Sequence, residues 1–152
     1  MNKVRTCLWY ESGGHEAAEL YVSLLPDSRI EGSYVPDPAA PPLTTDFLLA
    51  GVPYQALSAG PMFPQTEAAS ISVLTDDQAE TDRLWEALTA DGGRESQCGW
   101  LKDRWGVSWQ IVPREVLSLM TMGGDSGQRA FQAVMGMVKL DIAAVRAAAE
   151  GA

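Results

Sequence analysis

Two stretches of this chain follow the same plan: a short strand, an amphipathic helix, then further strands. Residues 6–11, TCLWYE, alternate in polarity and are β-prone. Gly13 and Gly14 interrupt them, and HEAAELYVSLLP then sets Ala17, Leu20, Tyr21 and Leu24 on one helical stripe that Pro26 ends. Strands are expected at 28–35, 43–50 and 53–58, with PDPAAPP (36–42) as an exposed loop and Gly51-Val52 as a turn. The plan restarts with SISVLT at 70–75. Asp77 and Glu80 form a capping box, Thr81, Leu84, Trp85 and Leu88 make the next buried stripe, and Gly92 supplies the stop. Only a vestigial strand fits between Gly93 and Cys98, before the hairpin CGWLKD–VSWQIV. The repeat lies in the order of elements and not in residue identity.

The rest of the chain is expected to be an appendage. REVLSLM reads as a short helix, GGDSG as a flexible break, and residues 128–149 as helix. Phe131, Val134, Met135 and Val138 fall on one face, and Asp141 is placed to cap IAAVRAAAEG. That stripe has to bury itself on the domain or on a partner. The organisation read from the chain is a domain over 1–113, with modules at about 1–60 and 68–113, and a helical extension over 114–152.

A chain of 152 residues with 46% apolar residues suits one compact domain that buries roughly 70% of its extended surface. The formal net charge of −9 argues against nucleic acid and anionic membranes and is compatible with a cationic ligand. No apolar run is long enough to cross a bilayer, and MNKVRTCLWYE lacks the apolar core of a secretory signal. Cys7 and Cys98 have no framework spacing and read as reduced thiols of a cytoplasmic protein.

Four stretches carry a family resemblance: LWYE, EAAELYVSLLPDSRI, ALSAGPMFPQTEAASISV and, above all, RLWEALTADGGRESQCGWLKDRWGVSWQIVP. The chain resembles the vicinal oxygen chelate superfamily, the glyoxalase and bleomycin-resistance fold. Within it the chain is similar to the PhnB-like branch, often described as demethylubiquinone methyltransferase-like. The resemblance implies an α+β fold of paired βαβββ modules whose strands form an open, cup-shaped mixed sheet, commonly in a homodimer, with the ligand in the cup. Methyl transfer itself is not expected, because the chain has no G-x-G-x-x-G turn between a strand and a helix.

Metal-dependent members of the superfamily hold a divalent ion with side chains from four strands. The resemblance matches those positions to Cys7, Ala56 (or Gln55, if the alignment slips by one), Ser70 and Gln110. An open catalytic site needs about three good protein ligands. An alanine, a neutral serine, a neutral amide and one thiol do not supply them, so neither a metal nor another cofactor is expected. His15, the one histidine, opens the first helix and is expected outside the cup.

Strand alternation then gives an expected cup lining. Cys7 and Trp9 come from the first strand, Tyr54 and Ser58 from the fourth, Ser70 and Ser72 from the fifth, and Ser108 and Gln110 from the last. Gln110 reads either as an amide satisfied by neighbouring strands or water, or as a ligand-orienting group. Trp109 is expected in the core, Trp105 in a turn, and Trp100 on either face. Glu67 is a candidate general base at the rim, and Asp103-Arg104 are expected to serve the hairpin turn.

Three functions compete. The favoured one is a metal-free cup that binds a small organic molecule. The alternative is a divalent-metal-dependent lyase, isomerase or dioxygenase. The third is an interaction protein whose C-terminal helix drives partner binding.

Overall fold

The computed structural model describes residues 2–152. These residues divide into two units, 2–65 and 66–152. The first contains β1 (Thr6–Tyr10), α1 (Gly14–Leu24), β2 (Arg29–Tyr34), β3 (Thr44–Leu49) and β4 (Val52–Ser58). Its sheet runs β1-β4-β3-β2, with β1 parallel to β4 and the other pairs antiparallel. α1 lies on one face through small residues. Ala17, Ala18 and Tyr21 are wholly buried, Tyr21 against Tyr10 and Phe47, while Leu20 and Leu24 are only half-buried. Gly14 sets the closeness of this packing: a Cβ there would stand 2.8 Å from Ser58 Oγ and 3.1 Å from the Tyr10 ring.

The second unit repeats the order with β5 (Ser70–Thr75), α2 (Gln78–Thr89), β6 (Arg94–Glu95), β7 (Trp100–Lys102) and β8 (Ser108–Pro113). Its sheet runs β5-β8-β7-β6, again with one parallel pair, β5 with β8. The α+β class and the doubled βαβββ plan are therefore both present. Asp77 Oδ1 accepts from Glu80 N at 2.8 Å to cap α2. Glu80 reaches one residue further back than a standard capping box, to Asp76 N at 2.7 Å. All four residues of the expected stripe, Thr81, Leu84, Trp85 and Leu88, are buried.

The hairpin turn between β7 and β8 is organised by one carboxylate. Asp103, 3% exposed, accepts from the backbone N–H groups of Trp105 and Val107 at 3.0 Å each and from Trp109 Nε1 at 2.9 Å. Trp109 is accordingly core, and the Arg104 guanidinium stands 5.2 Å from the centre of the Trp105 ring.

The C-terminal helices α3 (Arg114–Thr121), α4 (Gly124–Met135) and α5 (Ile142–Glu150) pack within this unit around Val116, Ala130, Val134, Leu140 and Val145. Three expectations are corrected here. GGDSG is no break, because Gly123 precedes and Gly124 begins α4. Residues 128–149 are not one helix: α4 ends at Met135, with Gly136 as its C-cap, and Asp141 caps α5 through Ala144 N at 2.9 Å. The buried face of α4 is Gly127, Ala130 and Val134, leaving Phe131 and Met135 51% and 54% exposed. Small residues win that face because α4 packs closely on α3 and α5, and phenylalanine would not fit there.

Two devices tie this extension to the strands. Cys98 N and Gly99 N donate to Met137 O and Val138 O at 2.8 Å each. Gln78, on α2, donates to Leu140 O at 3.1 Å and to Asp82 Oδ1 at 3.0 Å, and accepts from Ile142 N at 2.9 Å. Among the described residues no helix is long and apolar enough to cross a membrane.

Candidate functional site

In each unit the helices α1 and α2 cover one sheet face, and the candidate residues are sorted by strand parity onto that face or the opposite one. On β1, Leu8 and Tyr10 turn to α1 and are buried, so Cys7 and Trp9 turn away. The Trp9 ring meets Phe63 edge-on at 4.9 Å and donates from Nε1 to Gly60 O at 2.8 Å. The register of β4 against β1 pairs Cys7 with Gln55, Leu8 with Ala56 and Trp9 with Leu57. Gln55 and Leu57 therefore share the face of Cys7.

That register turns two of the expected lining residues toward α1, although Tyr54 still borders the first unit's cavity. Tyr54 and Ser58 lie with Ala56 on the side of α1. Ser58 Oγ accepts from Gly14 N at 3.0 Å, and the Tyr54 ring stacks on buried Phe47 at 5.4 Å. A shift of one residue flips a whole strand, and the parity of β4 follows from its partner rather than from its own sequence. The same shift moves the matched metal-ligand position from Ala56 to Gln55.

Gln55 Nε2 donates to Asp46 Oδ1 at 2.9 Å, and Arg5 Nε stands 3.5 Å from the same oxygen. A cavity of about 460 Å³ is bordered by Arg5, Asp46, Tyr34, Thr44 and Tyr54. Desolvation raises the pKa of the Cys7 thiol, Arg5 partly offsets this, and Asp46 adds to it. A nucleophilic thiolate is thus disfavoured at Cys7.

In the second unit, Trp109 and Ile111 face α2, so Ser108 and Gln110 face away, together with Ser70 and Ser72 opposite them on β5. Gln110 Nε2 donates to Ser70 Oγ at 2.8 Å. The β7 register places Trp100 across from Gln110 and Lys102 across from Ser108. Trp100 therefore belongs to this face. A second cavity, of about 300 Å³, lies here, bordered by Glu67, Arg94, Ser96, Trp100, Lys102 and Ser108. Lys102 Nζ is 2.9 Å from Glu67 Oε1. The hydrogen bond and charge of Lys102 hold the Glu67 carboxyl below its ordinary range. That pairing makes Glu67 a poor general base, contrary to its reading at the rim.

His15 packs on the α1 side of its sheet, with Nδ1 3.0 Å from Thr45 Oγ1. The four matched metal positions do pair up on the faces opposite the helices, as Cys7 beside Gln55 and Ser70 bonded to Gln110. Their chemistry is a thiol, a hydroxyl and two neutral amides, with one amide N–H spent on the hydroxyl. This donor set does not fit a catalytic divalent ion. Arg5, Asp46, Lys102 and Arg94 were missed in the sequence. The signal for Lys102 was its alternation with Leu101, readable only once the hairpin register is known.

The doubled βαβββ plan, each sheet ordered with its first strand beside its last, defines the class: a glyoxalase, or vicinal oxygen chelate, fold. The family model for 3-demethylubiquinone-9 3-methyltransferase matches residues 2–112, and the chain belongs to that PhnB-like family. The PhnB protein from Bacillus cereus is 26% identical, over 74% of this chain and 99% of its own, with a TM-score of 0.66. Protein PA1353 from Pseudomonas aeruginosa is 23% identical, over 74% of this chain and 98% of its own, with a TM-score of 0.59. The fosfomycin resistance protein FosX from Listeria monocytogenes, in complex with Mn(II) and a dihydroxypropylphosphonic acid, shares the fold. It is 13% identical, over 74% of this chain and 93% of its own, with a TM-score of 0.53. No curated relative matches the chain. The family match ends at residue 112, so α3, α4 and α5 lie outside it.

Proposed function

We propose that this chain is a metal-free glyoxalase-fold protein that binds a small organic molecule on the sheet faces opposite its helices. The donor chemistry at Cys7, Gln55, Ser70 and Gln110 carries this reading. These side chains orient an organic ligand through directed hydrogen bonds far better than they hold a divalent cation. Tyr34, Trp9 and Trp100 add aromatic surface on the same faces. A homodimer and a cytoplasmic setting go with the reading, the first by family resemblance and the second from two unpaired cysteines.

Methyl transfer does not come to this chain from the family's description. Cofactor approach of the dinucleotide-fold kind requires a glycine-rich turn at the end of a strand in a parallel sheet. Each sheet here has one parallel pair, and the turns that follow β1 and β5 have no such pattern.

The test combines elemental analysis of protein purified without chelator with tryptophan fluorescence titration against a compound panel, with and without chelator. Saturable binding that the chelator does not change is the expected result. Stoichiometric zinc, nickel, manganese or iron, lost together with ligand binding on chelation, would return the chain to the metal-dependent lyases, isomerases and dioxygenases.

A further inference from the structure

Ser108 is the one buried side-chain polar group among the described residues with no hydrogen-bond partner. It is 1% exposed and borders the cavity of the second unit. An orphaned buried hydroxyl is destabilising, so its place beside a cavity points to a partner that arrives from outside the chain. One cation on that cavity is Lys102, the cross-strand neighbour of Ser108; the lysine side chain is 19% exposed. Arg94, opposite Lys102 on β6, brings a second cation to the same edge.

Two carboxylates also border this cavity, and they are not equivalent. Glu95 is held by Trp85 Nε1 at 2.7 Å. Glu67 sits on Lys102 at 2.9 Å, yet its side chain is 68% exposed, and it comes from the loop before β5. Glu67 thus occupies the lysine from the solvent side and makes no use of Ser108.

We infer that this cavity is a carboxylate subsite for the organic ligand, with Glu67 as an internal stand-in that the ligand's carboxylate displaces from Lys102. The incoming group accepts from Lys102 and from the Ser108 hydroxyl, and the ligand's apolar body lies against Trp100. One carboxylate replaces another, so the local charge balance is kept, and a monoanion is preferred to a dianion. The overall charge of −9 is compatible with a cationic ligand; the charges at this cavity point to an anionic one. The inference rests on the organic-ligand reading above and adds the ligand's chemical class.

The probe is benzoate, with benzamide, benzylammonium and inorganic phosphate as comparators. Each is titrated into the full-length 15N-labelled protein while the backbone amides of residues 94–96, Lys102 and Ser108 are followed. Benzoate is expected to saturate these shifts and to bind more tightly than phosphate. Lys102→Met should weaken it about tenfold or more, Ser108→Ala should weaken it by less, and Glu67→Gln should tighten it about threefold by removing the competitor. Glu67 is exposed, so that variant tests the inference even if Lys102→Met folds poorly. Benzoate affinity unmoved by Glu67→Gln, or benzylammonium in place of benzoate at these amides, overturns the carboxylate assignment. Saturation by benzamide with no response to benzoate overturns it too, while leaving the organic-ligand reading standing. No response to any of these organic probes, in protein that carries stoichiometric metal, retires both.

Discussion

The two units are built to one plan, but they solve the problem of a short sheet differently. In the first unit β2 and β3 are six residues each, and the sheet supplies its own backbone partners. In the second, the equivalent β6 and β7 have two and three residues. There the extension takes over: Met137 and Val138 carbonyls receive the N–H groups of Cys98 and Gly99, and a second apolar cluster forms beneath them. A sheet can thus lose strand length without leaving buried backbone groups unpaired, provided another segment accepts their hydrogen bonds.

The largest effect should come from removing that support. A chain ending at Pro113 loses the cluster around Val116, Val134, Leu140 and Val145. The cost falls on the second unit and is on the order of 5 kcal/mol or more, given what each buried aliphatic side chain contributes. Hydrogen exchange should show β5 and β8 losing protection while β3 and β4 keep theirs. Equal loss in both units would mean that the extension is not a local prop.

A finer contrast lies in two glycines of positive φ. Gly99 has φ +82°, and a Cβ there would stand 2.9 Å from Ile111 O and 3.0 Å from Leu140 Cδ1. Gly51, in the β3–β4 turn, has φ +79° and open space around it. Gly99→Ala should cost about 2–3 kcal/mol, combining backbone strain with a clash. Gly51→Ala should cost about 1 kcal/mol from backbone strain alone. Urea unfolding of both variants decides this, and equal costs would show that the strands and the extension have room to part.

The smallest effect concerns acid. Lys139 holds the Asp82 carboxyl below its ordinary range, and Arg146 does the same for Glu115. Carboxyls depressed in the folded state add stability above their unfolded pKa, and lose it as pH falls through the folded value. The extension should therefore loosen before the first unit does as pH drops below about 4, the ordinary carboxylate range. The shift should be slight, because these pairs are exposed to solvent. Amide exchange at neutral and acid pH reads it. An extension as protected as β3 throughout would assign its hold to apolar packing alone.

Much of this architecture was legible in the chain. Helical stripes and caps announce themselves locally, so Thr81, Leu84, Trp85 and Leu88, and the caps Asp77 and Asp141, were found. Strand parity is not local. YQALS contains no signal for which face it shows, and β1 decides the matter by pairing Cys7 with Gln55. Register thus turns Trp9 and Gln110 away from the helices and sets Tyr54 and Ser58 on the strand parity of Ala56, while Tyr54 still borders the first unit's cavity. The extension misled for a related reason: Phe131 and Met135 are more apolar than Gly127 and Ala130, yet close helix packing selects the smaller pair.

Gln78 fastens α2 to the segment before α5 through a group that gives and takes at once. A carboxylate in its place would still accept from Ile142 N, but it would turn a second oxygen toward the Leu140 carbonyl and the Asp82 carboxylate. Hydrolysis of this single amide, a slow chemical change that leaves the chain's length untouched, would thus convert a clasp into a point of repulsion.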